Sequence, residues 1–348
     1  MKLFKSLLVA PATLGLLAPM TASANEVTIN DFNPAEELAV TNSRIDGLEA
    51  RFNNLEAGSF SETTTASFGV DFVVGAEDGA ASEAAQFSYQ MGIGLETSFT
   101  GEDALSATID IGDAADDALA LDSTGNVLTL DGLTYTFPVG DATVLVGDNT
   151  DISAVYTGAC AYSAFTDYMG DCGTGNSVGV GGNGATAAMS YAFDSGFSLA
   201  GGVSSTPTSI LTEEGADTFG IEAAYSADSY GVAVAYTDAE TTTYWGINGM
   251  YAFDFATLSA GVESEDPDSS DTKTGFFLGL SFPEVGPGSF EIGMATSANY
   301  SDADTEYYTY EASYAYPVND GMTITPGVYI KEGATDVTGV ALKTSFSF

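Results

Sequence analysis

The sequence contains no histidine, and only seven of its 348 residues are lysine or arginine. Without histidine there is no Ser/His/Asp triad, no imidazole general base and no His-ligated zinc. So few cations also exclude nucleic acid as a partner, because nothing in the chain could neutralise its phosphates. A carboxylate pair could still act in acid–base catalysis, but among 49 acidic residues any chosen pair is a coincidence. The sequence therefore predicts a protein that is not an enzyme and needs no cofactor or metal.

Long apolar runs are also missing, apart from a short one at the amino terminus. Residues 1–24 carry two lysines, then an apolar stretch, and end in Ala-Ser-Ala, which predicts a secretory signal peptide cleaved after Ala24. A membrane anchor is disfavoured because Pro11 and Pro19 interrupt a run that is already short for a bilayer. No later window offers the ~20 uninterrupted apolar residues of a transmembrane helix.

Cysteine is scarce, with one pair in the whole chain. Cys160 and Cys172 lie in a segment rich in Gly, Ser and Asp, and a secreted chain with two nearby cysteines is expected to pair them. A loop this short would gain ~3 kcal/mol from the bridge. Free or metal-binding thiols are the alternative, which no CxxC motif or histidine supports.

One segment, residues 35–57, has a convincing helical period. Arg44 and Arg51 fall at g positions of its heptads, opposite glutamates at the following e positions of a parallel partner helix. This pairing predicts a short N-terminal coiled coil, after a brief segment at 25–34; an amphipathic helix packed on its own domain stays open. The predicted interface residues are Leu38, Ile45, Leu48, Phe52 and Leu55.

From residue 61 to 348 the pattern changes to strict alternation of apolar and polar residues, which is typical of β-strands. Sixteen strands are predicted, the first near 64–74 and the last near 337–348, with the fourth (132–138) and fifth (142–147) the least regular. Connections from even to odd strands are tight, whereas most of those from odd to even strands are longer and polar. A membrane barrel alternates turns and loops in this way.

The charges within the strands fall on one face, opposite the large apolar residues. An outward face in hydrocarbon excludes charge, whereas a soluble barrel would place apolar residues inside. A sheet in lipid must also close, because open edges leave backbone groups without partners. The sequence therefore predicts an all-β, 16-stranded antiparallel transmembrane β-barrel whose pore-lining ionisable residues are Asp71, Glu96, Asp110, Glu222, Glu291, Glu311 and Lys343.

The chain resembles a known family in four features: "SRIDGLEARFNNLEAGSF" leading directly into "SETTTASFGVDFVVGAED", the sixteen-strand pattern, a cysteine-bearing third outer loop, and the terminal Phe348. Together they resemble the cyanobacterial outer-membrane porins, relatives of the carbohydrate-selective porins. The resemblance implies a homotrimeric pore in outer-membrane lipid and recognition of Phe348 by the barrel-assembly machinery. Members usually carry an S-layer-homology module before the coiled coil, for which residues 25–34 are too few.

The resemblance implies diffusion of ions and small hydrophilic solutes, including carbohydrates, through a wet pore. We expect the third outer loop, residues 148–184, to constrict that pore, with Asp151, Asp167 and Asp171 near the opening. The alternative is a loop that caps the outer rim or packs in a trimer. After residue 57 there are 42 acidic residues and three lysines, which favours cations, although most of these acids could be solvated loop charge. A secreted or outer-membrane structural or adhesive β-protein without conduction is the rival function.

Overall fold

The computed structural model describes residues 64–80, 83–113, 118–121, 123–170, 172, 184–210, 212, 216–297 and 306–348. The chain divides into two units, Met1–Ser59 and Phe60–Phe348, and every described residue belongs to the second. The predicted signal peptide, the segment 25–34 and the predicted coiled coil at 35–57 lie outside the described residues. Where the chain is described, it forms no helix with the length and apolar character to span a membrane.

Sixteen strands form one closed antiparallel barrel, in which each strand pairs with its neighbours in sequence and β1 pairs with β16. This confirms the predicted 16-stranded barrel. The strands are β1 (Thr64–Asp78), β2 (Gln86–Thr97), β3 (Ala104–Gly112), β4 (Thr129–Val139), β5 (Ala142–Thr150), β6 (Gly184–Ala192), β7 (Phe197–Ser205), β8 (Asp217–Ser226), β9 (Tyr230–Asp238), β10 (Thr242–Ala252), β11 (Thr257–Pro267), β12 (Lys273–Val285), β13 (Gly288–Thr296), β14 (Tyr308–Asn319), β15 (Met322–Lys331) and β16 (Val337–Ser347).

The two faces of each strand differ as the alternation predicts, and β9 shows this most clearly. Its large side chains point outward, so that Val234 is 48% exposed and Tyr236 46% exposed. The alternating small residues Ala233 and Ala235 point inward and are buried. Successive side chains of a strand leave on opposite faces, and lipid-facing residues of a membrane barrel are the apolar ones. The exterior is thus apolar and the interior carries the small and polar residues.

Phe348 extends by one residue the β1–β16 pairing that closes the barrel. The backbone N–H of Phe68 donates to the carbonyl oxygen of Phe348 at 2.8 Å, and the N–H of Phe348 donates back at 3.1 Å. The two rings stack with centroids 5.6 Å apart. The pairing continues the hydrogen-bond ladder between β1 and β16 to the final residue. An unpaired strand edge is not tolerated in lipid, and this pair leaves none at Phe348.

A β-bulge explains why the fourth strand does not keep one parity in the sequence. The register between β3 and β4 shifts between Thr108, which pairs with Gly132, and Ile109, which pairs with Leu130. Asp131 is the extra residue, and an extra residue moves the following side chains to the other face. The strand consequently begins at Thr129, three residues before the predicted start.

Aromatic residues gather where strands enter the short turns. The rings of Tyr191 and Phe193 have centroids 4.6 Å apart, and those of Tyr251 and Phe253 are 4.7 Å apart. Aromatic girdles mark the interface between lipid and water in outer-membrane barrels. The alternation of short and long connections is not strict: β9 and β10 are joined by only three residues, 239–241, and the β11–β12 and β15–β16 connections, 268–272 and 332–336, are each shorter than the β2–β3 connection, 98–103. Glu240 has a φ of 60° in the tight β9–β10 turn.

Candidate pore constriction

The third outer loop, between β5 and β6, turns into the barrel from its first residues. A short 3₁₀ helix spans Ile152–Val155, and the carboxylate of Asp151 accepts a hydrogen bond from the backbone N–H of Ser153 at 2.7 Å. An acidic residue at this position satisfies an N–H group that the helix leaves free. Ile152 is fully buried and packs against Ala188 on the inner face of β6.

Glu222, on the inner face of β8, is the first anchor of the loop. Its Oε1 accepts a hydrogen bond from the backbone N–H of Thr157 at 2.6 Å, and its Oε2 accepts from the N–H of Gly158 at 3.2 Å. The side chain is only 2% exposed. A buried carboxylate is tolerated when donors surround it, and hydrogen bonds to a charged group are stronger than neutral ones.

Glu311, on the inner face of β14, is the second anchor and has more donors. Its Oε1 accepts from the backbone N–H of Phe165 at 2.6 Å and from the Tyr162 hydroxyl at 3.0 Å. Its Oε2 accepts from the N–H of Thr166 at 3.0 Å and from the Thr166 hydroxyl at 2.8 Å. Burial, followed by the negative charge of Glu311, raises the pKa of the Tyr162 phenol above its ordinary range. Tyr162 therefore remains a neutral donor at physiological pH.

Backbone groups of the loop also bond to the strands between and beside these anchors. The N–H of Ala161 donates to the hydroxyl of Ser259 on β11 at 3.0 Å. The N–H of Gly170 donates to the carbonyl oxygen of Thr296 on β13 at 2.9 Å. The side-chain amide of Asn248 on β10 donates to the carbonyl oxygen of Cys172 at 2.7 Å. Together with the packing of Ile152 on β6, these bonds show that the described part of the loop lies along the inner wall from β6 to β14.

A disulfide joins Cys160 and Cys172, whose Cα atoms are 5.8 Å apart. This confirms the predicted pairing. The closed ring contains Tyr162, Phe165 and Thr166, the residues that bond to Glu311. The bridge therefore encloses the segment that makes the second anchor, and the anchor and the bridge restrain the same part of the loop.

The second outer loop enters the barrel as well, which the sequence prediction missed. Leu119 is fully buried, and its carbonyl oxygen accepts a hydrogen bond from the backbone N–H of Asp167 at 2.9 Å. Ala118 and Leu119 pack with Phe165 of the third loop and with Tyr329 of β15 in one apolar cluster, which Val73 and Ala341 complete. The available signal was "ALAL" at residues 118–121, an apolar run inside an acidic loop.

Comparison with known proteins points to the barrel rather than to a sequence family. The sequence matches no family model. An uncharacterized protein of Nostoc sp. is 32% identical over 160 residues, which are 39% of this chain and 27% of the relative. The chain therefore spans about a quarter of the length of the curated relative that it matches.

Solved structures share the whole barrel at low sequence identity. OprB of Pseudomonas putida superposes with a TM-score of 0.64 at 13% identity, over 82% of this chain and 94% of that one. An anion-selective porin from Comamonas acidovorans has a TM-score of 0.61 at 14% identity, over 82% and 99%. A double mutant of Rh. blastica porin has a TM-score of 0.58 at 17% identity, over 82% and 100%. The chain has the fold of an outer-membrane porin.

Two residues that the sequence predicts to line the pore are not exposed in the lumen of the barrel. Glu222 and Glu311 do face inward, but the third loop covers them and they are 2% and 3% exposed. This corrects the sequence prediction, because a strand pattern gives the face of a residue and not what folds over it. Both carboxylates hold the loop.

The other predicted wall residues remain at least partly accessible from the lumen. Glu96 is exposed, and Asp71, Asp110 and Lys343 are partly exposed. Glu291 is also partly buried and accepts a hydrogen bond from the Ser281 hydroxyl at 2.5 Å. Of the three predicted loop carboxylates, Asp151 caps the 3₁₀ helix and Asp167 lies at the contact between the two loops. Asp171 lies outside the described residues.

The wall opposite the second anchor carries a polar cavity of about 300 Å³. It is lined by residues of β3, β4 and the end of β5, and by the first residue of the third loop. Two carboxylates, Asp131 and Asp151, face it, and none of its described lining residues is basic. The β3–β4 bulge leaves Asp131 without a cross-strand partner in the ladder, so a local irregularity puts a carboxylate on this cavity. The remaining polar side chains are Ser106, Thr108, Thr134, Asn149 and Thr150.

Proposed function

We propose that this protein is an outer-membrane porin, forming a water-filled, cation-preferring diffusion channel for ions and small hydrophilic solutes, carbohydrates among them. One observation carries the proposal: a closed barrel with an apolar exterior holds its third outer loop inside, bonded to Glu222 and Glu311. A sixteen-stranded barrel leaves an aqueous channel, and an ordered loop within it sets the bore. A structural or adhesive protein would need no such internal loop.

The conducting path, in this proposal, runs between the third loop and the wall of β2 to β5. The opposite wall is covered, since Ser259 and Thr309 on its inner face are fully buried. The sector near β1 and β16 is narrowed by the apolar cluster around Leu119. The polar cavity lined by Asp131 and Asp151 lies on the side that remains.

The preference for cations is argued from charge and not from the fold. A solved structure of the same fold is described as anion-selective, so the barrel itself does not fix the sign. After residue 57 the chain has 42 acidic residues and three lysines. Carboxylates that line a pore attract cations and repel anions. Salt screens this field over ~8 Å at physiological ionic strength, so we expect the preference to be moderate.

Assembly and location are part of the same proposal. We propose a homotrimer whose residues 35–57 form a parallel coiled coil in the periplasm, supported by the heptad positions and the pairing of Arg44 and Arg51 with glutamates. Residues 1–24 would direct export, and the terminal Phe348 would be recognised by the barrel-assembly machinery. Outer-membrane lipid is the partner of the apolar exterior.

Conductance in planar lipid bilayers tests the proposal. We expect discrete single-channel steps from the detergent-purified oligomer and, in a gradient of KCl, a reversal potential with the sign of a cation-preferring pore. A protein that inserts but never conducts would support the structural or adhesive alternative. A reversal potential of the opposite sign would keep the channel and refute the preference. Swelling of liposomes in sugars of increasing size then gives the size limit.

A further inference from the structure

The inner wall carries glycine at three places where aromatic side chains of the third loop lie against it. Gly279 on β12 and Gly293 on β13 pair directly across the two strands, and the Tyr162 ring lies over both. A Cβ at Gly279 would be 2.5 Å from Cδ2 of Tyr162, and one at Gly293 would be 2.7 Å from its Cζ. On β15, a Cβ at Gly327 would overlap the ring of Phe165.

Space, and not backbone conformation, explains these glycines. None of the three has a positive φ, so any L-residue could adopt their strand conformation. Glycine weakens a strand because it has no side chain to pack, and it often marks the close approach of another group. Here the approaching groups are identified, because each ring occupies the volume that a side chain would fill.

We propose that Gly279, Gly293 and Gly327 form a seat for the two aromatic side chains of the third loop, and that this seat sets the bore of the channel. The inference rests on the proposed function. The glycines are positioning residues, since they act through Tyr162 and Phe165. The seat and the Glu311 carboxylate hold the same few loop residues, one by shape and one by hydrogen bonds.

The seat keeps the loop against the wall of β8 to β15 and leaves the wall of β2 to β5 open. A methyl group at Gly327 would lie 2.4 Å from Cε1 of the Phe165 ring, so the ring must move away from the wall. Overlap of this kind in a packed interior is relieved by shifts of the surrounding groups. The loop then moves toward the polar cavity, and the path narrows.

Alanine substitutions separate this role from general effects on the barrel. We expect G327A and G293A to lower the single-channel conductance, because each lifts an aromatic ring into the lumen. The matched control is G69A, since Gly69 lies on the inner face of β1 and a Cβ there meets no atom within 4 Å. G69A should conduct like the parent protein. Should G327A fail to assemble, G293A tests the same seat under Tyr162.

A compensating substitution asks whether the effect passes through the ring. F165A removes the ring but keeps the backbone N–H that donates to Glu311. In the F165A background, G327A should no longer lower the conductance. An equal loss of conductance from G327A in both backgrounds would overturn the proposal, because the glycine would then act by another route.

Hydrogen exchange in detergent supplies a readout that does not depend on conduction. We expect the amides of Phe165 and Thr166 to exchange faster in G327A than in G69A, because their hydrogen bonds to Glu311 lengthen. A parent protein that never conducts, with this exchange difference present, would refute the proposed function and support the seat. A conducting parent whose conductance and exchange are both unchanged by G327A would refute the seat.

Discussion

The carboxylate of Glu311 accepts a hydrogen bond at 2.6 Å from the backbone N–H of Phe165, a residue 146 positions earlier in the chain. The bond joins the inner face of β14 to the third outer loop, and both partners are buried. A side chain whose strand pattern indicates a pore wall therefore serves to hold the third loop inside the barrel.

Replacing Glu311 with glutamine should loosen the third loop and lower the single-channel conductance, because a loop released from the inner wall moves toward the open path. The glutamine amide keeps one oxygen as an acceptor. Its NH₂ group replaces the oxygen that accepts hydrogen bonds from the backbone N–H and the hydroxyl of Thr166. Hydrogen bonds to a charged group contribute ~1.5–3 kcal/mol each, so losing them shifts the loop toward detached states. E284Q is the control, because Glu284 is exposed near the β12–β13 turn. Equal conductance in E311Q and the parent would contradict the anchoring role.

Reducing the disulfide should increase loop motion without opening the barrel. The bridge between Cys160 and Cys172 closes a ring of 12-residue separation and restrains it by ~3 kcal/mol. We expect dithiothreitol to raise current noise and to speed amide exchange between the two cysteines, while the folded barrel in detergent keeps its heat resistance. In a C160S/C172S variant the reductant should have no effect. A reductant response in that variant would place its cause elsewhere.

Asp103 should make the β2–β3 turn sensitive to acid. The Tyr135 hydroxyl donates to its Oδ2 at 2.7 Å, and the backbone N–H of Thr100 donates to its Oδ1 at 2.8 Å. These bonds, the Tyr135 bond foremost, hold the pKa of Asp103 below its ordinary range. The stabilisation is therefore fully present above about pH 3.9, the usual value for an unfolded aspartate. It is lost as the pH falls through the lowered folded value.

Unfolding in urea at several pH values tests this. D103N should be less stable than the parent at neutral pH, and the difference should shrink below about pH 3.9, because Asp103 of the unfolded parent chain takes up a proton there while the folded turn keeps its charge to lower pH. D141N is the control, with an exposed aspartate in the β4–β5 turn. A difference between D103N and the parent that stays constant down to the lowest pH would refute the pH dependence.

Removing charge from Asp131 should weaken the preference for cations. Asp131 is exposed and lines the polar cavity. At physiological ionic strength a charge acts over ~8 Å, so this carboxylate attracts cations that enter the cavity. D131N should move the reversal potential toward zero, whereas D194N, in the short β6–β7 turn, should not. The measurement is the reversal potential in a KCl gradient. An unchanged value in D131N would mean that the path avoids this cavity.

Truncating Phe348 should slow barrel closure more than it lowers the stability of the closed barrel. The residue contributes two backbone hydrogen bonds to Phe68 and a stacked ring pair, and such a pair contributes ~0.5–1.5 kcal/mol. F348A should keep the hydrogen bonds and lose the stack, and deletion of Phe348 should lose both. Refolding into detergent, followed by heat-modifiable electrophoretic mobility, gives the folded fraction. F348Y should refold like the parent.

The alternation along the chain determines most of the barrel by itself. Side chains of a strand alternate between faces, and hydrocarbon excludes charge from the outer face. Short-range information is therefore enough to predict sixteen strands and the inward face of Glu222 and Glu311. Proximity of Cys160 and Cys172 in sequence was likewise enough for their disulfide. The β3–β4 bulge at Asp131 was visible only as an irregular pattern, because a bulge depends on the partner strand.

Only the tertiary structure decided what fills the barrel. Glu311 accepts a hydrogen bond from the third loop, and Leu119 of the second loop accepts one from Asp167 of the third. These bonds join segments that are far apart in sequence and, in the loops, have no regular pattern. Loops have no period from which such contacts could be predicted, and a buried carboxylate and a wet one occupy the same parity. The sequence determined which residues face the lumen; the packing of the loops determined which of them water can reach.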